Sequence, residues 1–378
     1  MAVKLGNGNW AVKEDKLLAY NDNSGLFFNK EFDFSRGSTA TYVGRDGLIA
    51  SAASGVPRID FTNDTKGHLL LEPSRTNLFE YSEDFSTWNN NNNAVVTDNF
   101  TTSPDGTQNA SKFTFDGTTN GNVQKPSTVT DSTQYTFSIW LKNDNLADPT
   151  QVWLAFRTSS KGQYITVTNE WQRFTITQNA SGTTEFPRVQ TSEVGSIFAW
   201  GAQFEEGSYA TSYIPTTGAA STRNADVCNN SGSAQDFNSE EGVLYAEIAT
   251  LAEDVGSKQF AISDGTNSNS IKFSFQPTAN RIQLTVKSNG TTTVNLTKDM
   301  SPAVTNFFKM AFKFKQDDCA LWVNGTEVGT DTSAAMPLAL NTLRFDRGDG
   351  ANDFLGKVRN LQVFTEALTD EQLEKLTN

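Results

Sequence analysis

Residues 135–143 read "YTFSIWLKN". Tyr135, Phe137, Ile139 and Leu141 share one face of an extended chain, and Thr136, Ser138, Trp140 and Lys142 share the other, because successive strand side chains point to opposite sides. The first face is core. In "QVWLAFRTS", from residue 151, Val152, Leu154 and Phe156 make the buried row, and Gln151, Trp153, Ala155 and Arg157 face the opposite way. "QYITVT", "EWQRFTIT", "FPRVQT" and "SIFAWGAQFEE" continue the series, separated by Asn, Gly, Asp and Pro. Short strands at this spacing indicate a β-sandwich rather than a βαβ fold.

A Gly-, Ser- and Asn-rich segment, "GSYATSYIPTTGAASTRNADVCNNSGS", reads as a linker, and a second strand series starts at "EGVLYAEIATL". In "FFKMAFKFK", Phe308, Met310, Phe312 and Phe314 alternate with Lys309, Ala311, Lys313 and Lys315, which predicts one dry and one wet sheet face. "LWVNGTEV" carries Asn-Gly between two β-prone runs, a hairpin signal. In the tail "TDEQLEKLTN", Thr369 is an N-cap and Gln372 completes a capping box, so one terminal helix is expected.

Residues 1–75 form a lead of low regularity. Its piece "NWAVKEDKLLAYN" reads as either a hairpin or a small helix. Its stretch 32–61, "FDFSRGSTATYVGRDGLIASAASGVPRIDF", is too rich in Gly, Ser and Ala for a packed strand. That stretch holds two couples, Arg45 with Asp46 and Arg58 with Asp60, but no His, Cys or carboxylate pair, so its role is architectural. The expected fold class is all-β: two tandem jelly-roll β-sandwiches, over 76–228 and 241–378, after an irregular N-terminal attachment region, with a short C-terminal helix.

Composition narrows the function. The 378 residues suffice for two to three domains with sizeable cores. A formal charge of −13, with no run of Lys or Arg, argues against nucleic-acid binding. No 18-residue apolar run occurs and the start lacks a long apolar core, so a soluble product made in a cytoplasm, without membrane insertion, is expected. The two cysteines, Cys228 and Cys319, are far apart and are expected as free structural thiols. His68 is the single histidine, which excludes a His-based triad or a multi-His zinc site within one chain.

The second series resembles a concanavalin A-like lectin/glucanase, or laminin-G-like, jelly roll, through "LWVNGTEVG" and "FLGKVRNLQVFTEALTDEQLEKL". The middle segment resembles the carbohydrate-binding-module type of jelly roll, through "NLFEYSEDFSTW", "YTFSIWLKN", "EWQRFTI" and "FAWGAQFEEGSYATSYIPT". Stretch 32–61, with "LLLEPSRTNLFEYSEDFSTW" and "TSYIPTTGAASTRNADV", resembles a tandem found in bacteriophage virion proteins of the tail-fibre and head-fibre type. This resemblance implies a virion structural fibre or decoration protein, made in the host cytoplasm, contacting other virion proteins and forming a homo-oligomer, with a trimer most in keeping. It also implies adhesion to host or environmental glycans. A purely structural head or tail component and a glycan-degrading tail spike are the alternatives.

Laminarin-type glycosidases on this fold place two carboxylates with Glu-x-Asp-x-x-Glu, a pattern missing here, so no enzyme is expected. Glu205 and Glu206 are adjacent and point to opposite faces. Parity instead turns Trp140 and Trp153 away from the core. With Arg157, Lys142 and Gln151 they make a candidate glycan platform, aromatic faces for sugar C–H groups beside hydrogen-bonding side chains; burial under loops or a neighbouring subunit is the competing reading. In "DRGDGAND", Asp346, Asp349 and Asp353 are candidate calcium ligands, against a simple Gly-Asp turn. The resemblance to sugar-binding modules adds Asp84 and Glu205 as a second structural-calcium option. No other cofactor is expected.

Overall fold

The computed structural model describes residues 2–6, 10–21, 28–144, 151–156, 162–251, 258–276, 280–301 and 303–378. The chain divides into two compact units. Unit 1 comprises Met1–Thr39, Ala52–Pro73 and Ala225–Asn378; unit 2 comprises Ala40–Ser51 and Ser74–Asn224. The fold is all-β, built of jelly-roll-like sandwich sheets, with one short α-helix at Asp370–Thr377.

Unit 2 has two five-stranded sheets. One runs, in spatial order, Asn89–Asn91, Gly121–Gln124, Arg188–Thr191, Gln151–Ala155, Gly162–Thr166; the other runs Val95–Thr101, Ala110–Asp116, Val194–Glu206, Gln134–Asn143, Gln172–Asn179. Their inner faces merge in one core. Phe137, Ile139 and Leu141 from the second sheet and Val152, Leu154 and Val189 from the first are fully buried in it. Each such side chain contributes about 1.5–3 kcal/mol by leaving water.

Unit 1 pairs a five-stranded sheet, centred on Ser270–Gln276, with an eleven-stranded one. In the latter, Gly356–Phe364 lies beside Glu241–Thr250 along one edge. Its other edge is taken by Ala2–Gly6 and His68–Leu71. The lead is therefore not a region of its own: its strands close the edge of the C-terminal sheet, and Leu17, Phe32, Leu69 and Leu71 lie in that sandwich's core. An unpaired strand edge exposes backbone N–H and C=O groups, and the lead satisfies them. "NWAVKEDKLLAYN" is a hairpin, Ala11–Lys13 with Lys16–Asn21, turning at Glu14 and Asp15, both at positive φ. "LWVNGTEV" is also a hairpin, with Asn324 and Gly325 at φ 46° and 74°, as a type I′ turn requires.

The wet face of "FFKMAFKFK" is drier than its alternation suggests. Thr369 Oγ1 accepts from Gln372 N at 3.3 Å and Gln372 Oε1 accepts from Thr369 N at 2.9 Å, closing the capping box. The helix so started seats Leu373 on Val243, Tyr245, Ala311, Ala320 and Trp322. Lys313 bridges Asp318 and Asp370 at that border, at 2.7 and 3.5 Å.

Stretch 32–61 contributes two fully buried cations to unit 1. Arg36 Nη1 meets Asp226 Oδ1 at 3.1 Å; Arg58 reaches Asp226 Oδ2 at 2.5 Å and Glu72 Oε2 at 2.8 Å. Arg58 thus pairs with these two carboxylates, and Asp60 instead caps a turn by accepting from Thr62 N at 2.9 Å. Burial works against the Arg58 charge, but Glu72 and Asp226 outweigh it and hold its pKa above the ordinary value. Arg36 also donates to Ser38 O and Ala53 O, at 2.9 and 2.7 Å, pinning the chain on either side of residues 40–51. Cys228 and Cys319 are free and buried.

Candidate functional site

The face of unit 2 that carries Trp153 is built by strand register. Val152 and Leu154 point into the core, so Gln151 and Trp153 point out. Directly opposite Trp153 stand Tyr164 on one neighbour and Gln190 on the other; Gln190 faces Asn122, and Asn122 faces Asn91. The result is one row across five strands: Asn91, Asn122, Gln190, Trp153, Tyr164. Its amide end is locked by hydrogen bonds, Asn91 Nδ2 to Asn122 Oδ1 at 3.0 Å, Asn122 Nδ2 to Asn120 O at 2.8 Å and Gln190 Nε2 to Asn120 Oδ1 at 3.0 Å.

The aromatic end is a half-buried indole against an exposed phenol. Ring centroids of Trp153 and Tyr164 are 4.7 Å apart at 61°, and Tyr164 is 70% exposed. Gly162 lets the indole lie down: a Cβ there would come within 2.5 Å of Trp153 Cε2. Arg188, two residues before Gln190 on the same face, is buried beside the row. Chemically this is an apolar ring surface continuous with amide donors and acceptors, held rigid by a sheet.

The five residues of the expected platform are not brought together. Trp140 and Lys142 lie on the other sheet, and since both sheets enclose the same core, Trp140 and Trp153 leave it on opposite outer faces. Trp140 is 9% exposed. Its ring packs on Trp200 at 5.3 Å and Tyr213 at 5.6 Å, with the Arg173 guanidinium 4.4 Å from its centroid. Ile49 and Trp171 pack against that cluster, and Thr41 Oγ1 donates to Tyr213 O at 2.6 Å. Lys142 is half-buried opposite Phe198. Gln151 is exposed on the Trp153 face, facing Thr166. Arg157 lies outside the described residues. Tyr164, Gln190 and Asn122 were missed; the alternation of "QYITVT" held the signal for Tyr164, but only pairing register places it beside Trp153.

Of the calcium candidates, Asp346, Asp349, Asp84 and Glu205 accept hydrogen bonds from protein donors. Asp346 is fully buried, bound by Arg344 Nε at 2.9 Å and Gly348 N at 2.6 Å. Asp349 is bound by Arg347 Nη2 at 2.7 Å, which holds its carboxyl below the usual range. Burial, with the nearby Asp346 charge, pushes Asp353 up. Asp84 caps a short 3₁₀ turn, and Glu205 accepts from Gln203 and Thr211 within unit 2, its carboxyl raised by burial. Among the described residues no three His, Cys, Asp or Glu side chains gather as a metal site.

Residues 247–374 match the family model of the Concanavalin A-like lectin/glucanases superfamily. Over that part the chain is similar to concanavalin A-like lectin/glucanase domains. No curated protein matches the sequence. Among solved structures, Ruminococcus gnavus IT-sialidase CBM40 is 16% identical, covering 40% of this chain and 94% of that one, with a TM-score of 0.34. The heptameric SAP-like pentraxin from Limulus polyphemus is 13% identical, covering 37% and 70%, TM-score 0.29; the Bacillus licheniformis beta-glucanase is 17% identical, covering 40% and 64%, TM-score 0.24.

Proposed function

We propose that this chain is a non-enzymatic glycan-binding protein, with unit 2 taking sugar on the Trp153–Tyr164 face. The observation that carries the reading is the pair itself: a half-buried indole propped under an exposed tyrosine, at the end of a row of fixed amides. A sugar ring laid on the aromatic end would present its hydroxyls to Gln190 and Gln151. The lectin/glucanase match of residues 247–374 supports the same class. For the setting, the sequence resemblance of residues 32–61 to phage fibre proteins supports a virion fibre or decoration protein, assembled as a trimer.

Replacing Trp153 and Tyr164 together by Ala tests the site. Binding on a glycan array should vanish while the protein stays folded, since removing a half-buried indole and an exposed phenol costs about 1–3 kcal/mol rather than the fold. Intact binding with intact folding would refute the site. Trp140→Ala, by contrast, should cost about 3–5 kcal/mol, because that indole is packing. Sedimentation of the full chain tests the trimer, and monomer alone at micromolar concentration would count against it.

A further inference from the structure

Unit 1 holds a groove that the proposed function leaves unused. It lies on the eleven-stranded sheet, on the side away from the core: Leu244, Ala246, Ile248 and Met310 face the core, so Tyr245, Glu247 and Lys309 face the groove. Loop residues Asp64 to Lys66 form one wall and the end of the helix the other, enclosing about 520 Å³. A second cavity of about 270 Å³ shares Glu247, Lys309 and Arg359 with the first and extends it towards Phe307 and Asn324.

The chemistry of the lining is specific. Arg359 donates from Nε to Asp64 Oδ2 at 2.8 Å and from Nη1 to Glu247 Oε1 at 3.3 Å, with its guanidinium 3.7 Å from the Phe307 ring centroid. Lys309 Nζ donates to Asn378 O at 2.6 Å, Lys375 Nζ to Glu371 Oε1 at 2.6 Å, and Gln362 Nε2 to Asn360 Oδ1 at 3.1 Å. These cations are met within the protein, so the groove offers an ion little uncompensated charge. It does offer carboxylate and amide oxygens alternating with ammonium, guanidinium and amide donors. A sugar hydroxyl donates one hydrogen bond and accepts others, and so satisfies both kinds of group at once. Two joined cavities suit a chain of rings better than a single one. Loop 61–67 lies outside the residues that match the lectin/glucanase family, so one wall is particular to this chain.

We propose that this groove is a second saccharide site, for a neutral oligosaccharide, independent of the Trp153–Tyr164 face. The two sites on one chain would raise avidity for a glycan-coated surface without any new contact.

The test uses the full chain in four forms: native, Trp153→Ala with Tyr164→Ala, Thr65→Trp, and all three changes together. Thr65 is an exposed loop residue, so a Trp there fills the groove from its rim without touching the core. The probe is an array of neutral hexose and N-acetylhexosamine oligosaccharides, with uronate-containing oligosaccharides as a separate arm. The Trp153/Tyr164 variant should keep saturable binding to neutral oligosaccharides, and adding Thr65→Trp should weaken it about tenfold or more. Gln362→Ala in place of Thr65→Trp should act in the same direction. Loss of all binding in the Trp153/Tyr164 variant overturns the groove and leaves the unit 2 face standing. Binding that survives that variant and falls with Thr65→Trp supports the groove, and if the Trp153/Tyr164 change has no effect at all, the unit 2 face fails. Binding confined to uronates overturns the neutral assignment, and no binding by any form overturns both sites.

Discussion

Asp226→Asn is the sharpest probe of unit 1. The Asp226 carboxylate receives Arg36 at 3.1 Å, Arg58 at 2.5 Å and the Glu72 backbone N–H at 2.8 Å, with no side-chain exposure on Asp226 or on either arginine. The substitution keeps shape and one acceptor but removes the carboxylate charge that both buried guanidiniums face. Removing one partner of a buried pair costs about 3–5 kcal/mol, mostly as the penalty of the charge left behind. With a urea m-value of roughly 1–3 kcal/mol/M, the unit 1 midpoint should fall by about 2 M. Most tryptophans are in unit 2, so the assay is hydrogen exchange across the urea series, read on peptides from residues 241–378. Asp331→Asn, at a surface turn of unit 1 where Asp331 Oδ1 accepts from Ser333 N at 2.9 Å, is the control and should cost under about 1 kcal/mol. If Asp226→Asn costs no more than that control, the cluster does not hold unit 1 together and the reasoning fails.

A fragment of residues 241–378 should fold poorly and aggregate, because it lacks Leu17, Phe32, Leu69 and Leu71 from the core and leaves the outer edge of Gly356–Phe364 unpaired; a soluble fragment with a cooperative thermal transition would refute this. His68 is buried, which lowers its pKa from 6.5 even beside Asp60 and Asp64, so the unfolded chain takes up a proton that the folded chain resists. Unit 1 stability should therefore fall as pH drops through about 6.5, and His68→Asn should flatten that slope in urea titrations at stepped pH. Glu205 shifts the other way: burial raises its carboxyl above 4.5, the folded state holds the proton more tightly, and unit 2 should lose stability as pH rises from the ordinary glutamate range through the raised value. Glu205→Gln should abolish that loss; an unchanged profile would show that another group is responsible.

Much of the architecture was legible because its signals are local. The alternation in "YTFSIWLKN", the Asn-Gly turn and the Thr369 capping box each depend on residues a few positions apart, and each element formed as read. The turn at Glu14 and Asp15 lacks Gly or Asn, so the first hairpin could not be told from a helix. Pairing of Ala2–Gly6 with Gly356–Phe364 leaves no local trace, and the lead therefore looked irregular. The site fell between these cases. Parity correctly turned both Trp140 and Trp153 from the core, but it cannot say through which sheet a side chain leaves. Only register separates the indole sealed under Ile49 and Tyr213 from the one that stands beside Tyr164.

The pairing of residues 2–6 with 360–364 also orders events at the ribosome. Residues 2–6 can pair with Lys16–Asn21 as soon as both are made, but their pairing with Gly356–Phe364 must wait until that strand has been made. Residues 74–224 leave and re-enter unit 1 through the paired strands Arg75–Asn77 and Ser221–Arg223, and they contain every strand of their own two main sheets. Unit 2 can thus be finished while unit 1 still lacks residues 225–378. Slowing translation after residue 224 should lengthen the life of that half-made species, whose open strand edges are the ones a chaperone would have to guard.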